Sequence, residues 1–178
     1  MTREDEVGWE PEPIPAEEFH DAEGGANINR APYDRVSGVL FKCAMNIKRV
    51  SYGPAGPAPK MPQGWQGTGE TVVRWLFSES PGTAEHLLEN RQFAFVKDVE
   101  LLPGASTGQT QHLGFDTVLY VIDGTGYLYH RPTPGSPVVA RPLRPGDAAL
   151  VDDVEFYSIS NSSEDVSLRL IVLGLKRG

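Results

Sequence analysis

Cysteine is almost absent from this sequence: Cys43 is the single one in 178 residues. An internal disulfide is therefore excluded, and with it a small fold stapled by cross-links. Basic side chains are also in deficit, 16 against 24 acidic ones, for a formal charge of −8. That surplus of negative charge opposes attraction to phosphate backbones and anionic lipid, so neither nucleic acid nor a membrane is an expected partner. No apolar stretch reaches the length of a signal h-region or a membrane span. The expected setting is soluble, reducing and cytoplasmic.

What is abundant is glycine and proline, 19 and 15 residues. Both disfavour long helices and suit many short strands joined by tight turns, so an all-β domain is expected. The length gives room for one domain with its own core and extensions, not for two. Residues 1–35 are rich in Glu, Pro, Gly and Asn and read as an irregular N-terminal arm, with a short helix open to Pro15–His20. Residues 36–70 combine one or two strands over Val36–Tyr52 with a Pro- and Gly-rich loop from Gly53 to Gly69, which neither a helix nor a central strand tolerates. From residue 71 to 178 the β-branched and aromatic runs recur at regular spacing. Strands are expected at Thr71–Phe77, Phe93–Leu102, Gln109–His112, Val118–Ile122, Tyr127–His130, Val138–Leu143, Ala148–Val151, Phe156–Ser160 and Val166–Leu175, with a helical turn or two over Thr83–Asn90. Strands so spaced form a sandwich or a barrel.

The stretch Leu102–Leu128 holds the most specific pattern. A Pro-Gly turn at Pro103-Gly104 leads into a polar segment with one histidine, then an apolar run from Val118 to Ile122, then a reversal at Asp123-Gly124. This spacing resembles the first motif of the cupin superfamily: glycine, five residues, His-x-His, a few residues, Glu, six residues, glycine. The glycines fall on Gly104 and Gly124, the histidine positions on Thr110 and His112, and the glutamate position on Thr117. The second cupin motif lies over Gly146–Asn161. Its proline and glycine fall on Asp152 and Val154, its histidine on Tyr157, and its asparagine on Asn161. The resemblance covers the chain from roughly Val72 onward. It implies a double-stranded β-helix, a jelly-roll barrel, and a site inside it. It does not select a function, because cupins include oxygenases, isomerases, lyases, epimerases, storage proteins and regulators.

Side chains alternate faces along a strand, so in the cupin register Thr110, His112, Thr117, Leu119, Val121, Tyr157 and Ile159 face the interior. Asp116 then lies at the rim, with Gln109 and Gln111 nearby. Thr110, Thr117, Gln109, Gln111 and Leu119 are the expected ligand-contacting residues. His112 is either an interior histidine satisfied by Thr110 or Thr117, or a general acid or base suited to neutral pH. Tyr157 either fills the volume that a metal ligand leaves or acts as an acid beside it. Metal-free epimerase cupins use His, Asp and Tyr, and His112, Asp116 and Tyr157 are of the same residue types.

Divalent ions such as Zn, Fe, Mn or Ni usually need three or more His, carboxylate or thiolate donors. One histidine at the motif positions falls short, so no cofactor is expected. A reduced metal set of His112, Asp116 and Tyr157 is the alternative. Arg74 and Lys97 lie within strands, where each could hold a substrate carboxylate or sit on an exposed face. His130, His86 and His20 are expected at the surface or in connections. Trp75, Tyr120, Tyr127, Tyr129 and Phe156 fit either core packing or a pocket wall, core being the usual answer, and Cys43 has no activating companion in the sequence.

Three functions follow. The first is a metal-independent enzyme for acid–base chemistry, such as isomerisation, epimerisation, cyclisation or dehydration, with His112 as base and Tyr157 as acid. The second is a metal-dependent oxygenase or lyase with the reduced ligand set. The third is a noncatalytic module that binds or senses a metabolite. A homodimer, paired by a sheet edge or by exchanged N-terminal strands, is the expected assembly.

Overall fold

The computed structural model describes residues 34–36, 39–41, 47, 49–53, 67–78, 92–133 and 135–177. The expectations for the N-terminal arm, the helical segments Pro15–His20 and Thr83–Asn90, Cys43, His20, His86 and most of the Pro- and Gly-rich loop lie outside them. The described chain is all-β. It runs β1 (Asp34–Val36), β2 (Val39–Phe41), β3 (Arg49–Tyr52), β4 (Thr71–Ser78), β5 (Phe93–Leu101), β6 (Phe115–Asp123), β7 (Gly126–Arg131), β8 (Val139–Leu143), β9 (Ala148–Val151), β10 (Phe156–Asn161) and β11 (Leu168–Lys176). Among the described residues no helix is long and apolar enough to cross a membrane.

The strands form antiparallel sheets. Six make one sheet in the order β3-β4-β5-β11-β6-β9, three make a second in the order β10-β7-β8, and β1 pairs with β2. Bridges at Thr68–Ser106, Ser106–Ser160 and Thr110–Tyr157 carry the chain across to β10. The sheet therefore takes in residues well before position 71, since β3 pairs with β4.

Period-two alternation in β5 shows why the sheet has a wet and a dry face. Phe95, Lys97, Val99 and Leu101 point one way, and Val96, Asp98 and Glu100 the other. Register carries the inner set across the sheet: Val50 faces Val73, Val73 faces Val99, and Leu170 lies between Val99 and Val121. All five are buried. Leu101 and Leu168 pair beside them, both at 0 % exposure. The second sheet supplies Leu128, paired with Ile159, together with Leu143. Each fully buried leucine contributes about 2 kcal/mol by leaving water, so this double layer is the main source of cohesion.

On the outer face Asp98 is itself buried, at 5 % exposure, between Arg74 and Arg169. Burial alone would push its carboxyl up. The Arg169 hydrogen bonds and the charges of Arg74 and Arg169 more than offset this and hold it below the usual carboxylate range. Arg74 is thereby committed to a structural ion pair.

Several expectations need correction. Gln109–His112 is not a strand, because Gly108 and Gly114 have φ of 71° and 83° and interrupt the extended run on either side. One paired residue survives: Thr110 N–H donates to Tyr157 O at 2.7 Å, and Tyr157 N–H to Thr110 O at 2.9 Å. Tyr120 and Tyr127 are outside the core, at 45 % and 40 % exposure. Each sits between two inward neighbours, so alternation turns it to solvent. Trp75, Tyr129 and Phe156 are half-buried.

The second-motif asparagine has a structural task. Asn161 Nδ2 donates to the carbonyls of Leu101, Leu102 and Val166 at 2.8–3.1 Å, and Oδ1 accepts from Ser163 N–H. It joins the end of β5 to the β10–β11 connection. Removing it leaves buried carbonyls without a donor, so Asn161→Ala should lower stability by about 2–3 kcal/mol in denaturant unfolding. The two motif glycines should differ. Gly124 and Gly146 both have left-handed φ, but a Cβ at Gly124 would lie 2.3 Å from Ser167 O, whereas one at Gly146 meets open space. Gly146→Ala should cost about 1 kcal/mol, and Gly124→Ala should cost clearly more because it adds a clash to the same strain.

Candidate functional site

Three inward positions meet at one end of the barrel. Thr117 enters from β6, Tyr157 from β10, and His112 from the loop between Gly108 and β6. His112 Nδ1 lies 2.9 Å from Thr117 Oγ1 and 3.3 Å from Tyr157 Oη. Thr117 and Tyr157 thus place two hydroxyls on the same ring nitrogen. Thr117 and Tyr157 are buried, at 1 % and 4 % exposure. Nδ1 is thus held by hydroxyls, while His112 Nε2 has no hydrogen-bond partner among the described residues and is not sealed from solvent.

The walls are aromatic. Phe95 meets the edge of the His112 ring at a centroid distance of 5.2 Å and also packs against Trp75 and Phe115, while Tyr157 meets His112 at 5.8 Å. Gly174, opposite Phe95 in register, makes this possible: a Cβ there would lie 2.5 Å from the Phe95 ring. Trp75 is anchored by its Nε1–H, which donates to Tyr52 Oη at 3.3 Å.

Lys97 projects into the same interior. Its neighbours in register are Trp75 on β4 and Val172 on β11. Its Nζ stands 4.2 Å from the centroids of both the Trp75 and Phe95 rings. Among the described residues no carboxylate pairs with it. His112, Thr110, Trp75, Phe115 and Lys97 are half-buried, whereas the rings of side chains below them are closed. Among the described residues these are site side chains that solvent reaches.

Charge follows from that geometry. Burial, reinforced by the nearby Lys97 charge, pulls His112 down to about 4, so it is neutral at pH 7. Burial pulls Lys97 down to about 8. Burial pushes the Tyr157 phenol well above its ordinary value, with the Thr117 hydrogen bond offsetting a part, so it remains a protonated donor.

Other expected site residues are placed elsewhere. Asp116 alternates with the inward Thr117, and its Oδ1 accepts from Arg177 Nε at 2.6 Å and from Asp153 N–H at 3.3 Å. It does not support His112, because Arg177 holds it at the outer rim. Gln111 donates from Nε2 to Val154 O at the surface, and Thr110 Oγ1 donates to Gly108 O, so His112 is satisfied by Thr117 and not by Thr110. Gln109 is half-buried in the same loop. Leu119 faces inward at 0 % exposure, beneath the polar cluster. His130 is not a simple surface residue: it pairs in register with Tyr157, shares its face and is half-buried. Sequence spacing missed the site's aromatic walls, Phe95 and Phe115. A signal existed in β5, where Phe93, Phe95, Lys97, Val99 and Leu101 make one apolar face with a lysine set in it.

The motif positions do not fit a divalent ion. Thr117 Oγ1 is engaged by His112, Asp116 is engaged by Arg177, and a lysine charge lies close by. Among the described residues no three His, Cys, Asp or Glu side chains form a group that could hold a metal. The reduced set of His112, Asp116 and Tyr157 is not assembled.

No protein-family model matches the sequence, and no curated protein does. Solved structures do. A predicted oxalate decarboxylase from Thermotoga maritima is 21% identical with a TM-score of 0.55, covering 76% of this chain and 97% of its own. Drosophila melanogaster CENP-C, in its complex with CAL1, is 14% identical with a TM-score of 0.50, covering 74% and 82%. A cupin 2 conserved barrel domain protein from Salinispora arenicola is 15% identical over 60% of this chain and 76% of its own, with a TM-score of 0.45. At these identities the likeness bears on fold and leaves the chemistry open. Strand order, the motif glycines and the likeness to the Thermotoga maritima structure agree that this chain has the cupin fold.

Proposed function

We propose that this end of the barrel binds a small metabolite and carries out metal-independent proton-transfer chemistry on it, of the isomerase, epimerase, cyclase or dehydratase type. The observation that carries this reading is the His112–Thr117–Tyr157 cluster, in which Nε2 of the imidazole has no hydrogen-bond partner among the described residues. If Nδ1–H donates to Thr117 Oγ1, the lone pair stands on Nε2, where a proton from bound substrate would be received. The Tyr157 phenol, with Oη 3.3 Å from Nδ1, is a proton donor on the same interior. Such positioned acid–base groups contribute about 10²–10⁴-fold in rate. Asp116 has no part in this scheme.

One observation favours a second reading, a noncatalytic binding or sensing module. An imidazole near pH 4 is a weak base at neutral pH, and a site that only binds needs no stronger one. Ligand-dependent stabilisation without chemical change in the ligand would mark that case.

The two separate in heavy water. When a mixture of small metabolites is incubated with the protein in deuterium oxide, one member should gain solvent deuterium or convert to an isomer by mass spectrometry. His112→Gln should slow that change by about 10²–10⁴-fold, and Tyr157→Phe should slow it too. An unchanged rate in His112→Gln would sink the base assignment.

Acid stability gives an independent check on His112. Its folded value, about 4, lies below the unfolded 6.5. Between these pH values the unfolded chain binds more protons, so the neutral imidazole's contribution is complete above 6.5 and is lost as pH falls toward 4. Melting temperatures from pH 7 to 4 should therefore fall more steeply in the wild type than in His112→Gln.

A further inference from the structure

Lys97 is the charged group in the barrel that the proposed acid–base scheme leaves unused. Arg49, Arg74, Arg169 and Arg177 are each paired with carboxylates on the outer face or the rim. Lys97 instead places its ammonium inside, 4.2 Å from the centroids of Trp75 and Phe95, next to the His112 ring. Two ring faces compensate a buried cation only in part. An ammonium withdrawn from water needs an anion or hydrogen-bond acceptors, and the carboxylate nearest in the β5 sequence, Asp98, points to the opposite face. The rings beside Lys97 are flat and apolar; Phe95 is buried, while Trp75 and Lys97 itself are half-buried.

Resting on the reading that this interior binds a small molecule, we infer that its ligand is a small carboxylate with a flat, apolar body, bound with the carboxylate on Lys97 Nζ and the body against Phe95, Trp75 and His112. The anion supplies the counter-charge that no described residue provides. It also fixes one end of the ligand on β5, beside the Phe95 ring that packs against His112. Lys97 is in this sense a binding residue that determines charge specificity, and it is distinct from the His112–Thr117–Tyr157 cluster.

Benzoate and benzamide, which share a shape and differ in charge, test this with the intact chain. Calorimetric titration and tryptophan fluorescence at pH 7 should show benzoate binding at least about ten-fold more tightly than benzamide, the scale of one charge-assisted contact. Lys97→Met should lose at least about ten-fold in benzoate affinity and leave benzamide unchanged. Arg144→Gln, which removes a positive charge from an exposed turn, should alter neither. Removing a buried charge that meets no described carboxylate should leave the melting temperature of Lys97→Met equal to the wild type or higher, so loss of benzoate binding would not reflect unfolding. Equal binding of benzoate and benzamide would overturn the anion assignment and leave small-molecule binding standing. Full benzoate affinity in Lys97→Met would overturn Lys97 as its partner. Binding of neither probe would count against both this inference and the small-molecule reading, whereas His112→Gln in deuterium oxide bears on the acid–base step alone.

Discussion

Exclusion of water from the space between two sheets is the constraint on which the rest of this structure depends. Leu101, Leu119, Leu168 and Leu170 are fully buried there, with Val121 and Ile159 nearly so. Every polar group that enters must bring its own partner. Ser106 and Ser158 pair with each other at 3.2 Å, and Asn161 satisfies three carbonyls at once. The same constraint makes His112 neutral, keeps the Tyr157 phenol protonated and weakens the hold of Lys97 on its proton.

Alternation in the central strands sorts charge between two environments. β5 sends Asp98 outward to Arg74 and Arg169, and Lys97 inward to Trp75 and Phe95. β6 does likewise, sending Asp116 outward to Arg177 and Thr117 inward to His112. Adjacent residues in the chain therefore have opposite electrostatic fates. The outer pairs brace the sheet and the rim, and the inner groups form a site whose positive charge meets no carboxylate among the described residues.

This division explains how a barrel with motif turns can do without the motif's ligands. The turns at Gly104, Gly124 and Gly146 shape the backbone, and Asn161 ties its ends, whatever occupies the interior. Where ligand histidines and a glutamate would converge, two hydroxyls gather around one imidazole, and aromatic rings fill the remaining wall. Such a site can bind and orient a ligand through hydrogen bonds, a fixed charge and ring faces.

The sequence by itself determined the all-β class, the strands from β4 onward apart from the one expected at Gln109–His112, and the inward facing of Thr117, Leu119, Tyr157 and Ile159. Turn glycines and period-two alternation are local properties, legible from a single chain. It also exposed Thr110, His112, Thr117 and Tyr157 as a set, because motif spacing is local to each half of the barrel. Only the tertiary structure decided partners. Arg177 capturing Asp116 spans 61 positions in the chain, and Asp98 claiming Arg169 spans 71. Arg74 and Lys97 looked equivalent as lysine- or arginine-bearing strand positions, and cross-strand register separated them into a brace and an interior charge. Which of two charges finds a counter-ion depends on strands brought together from distant parts of the sequence, and spacing along one strand carries no record of that.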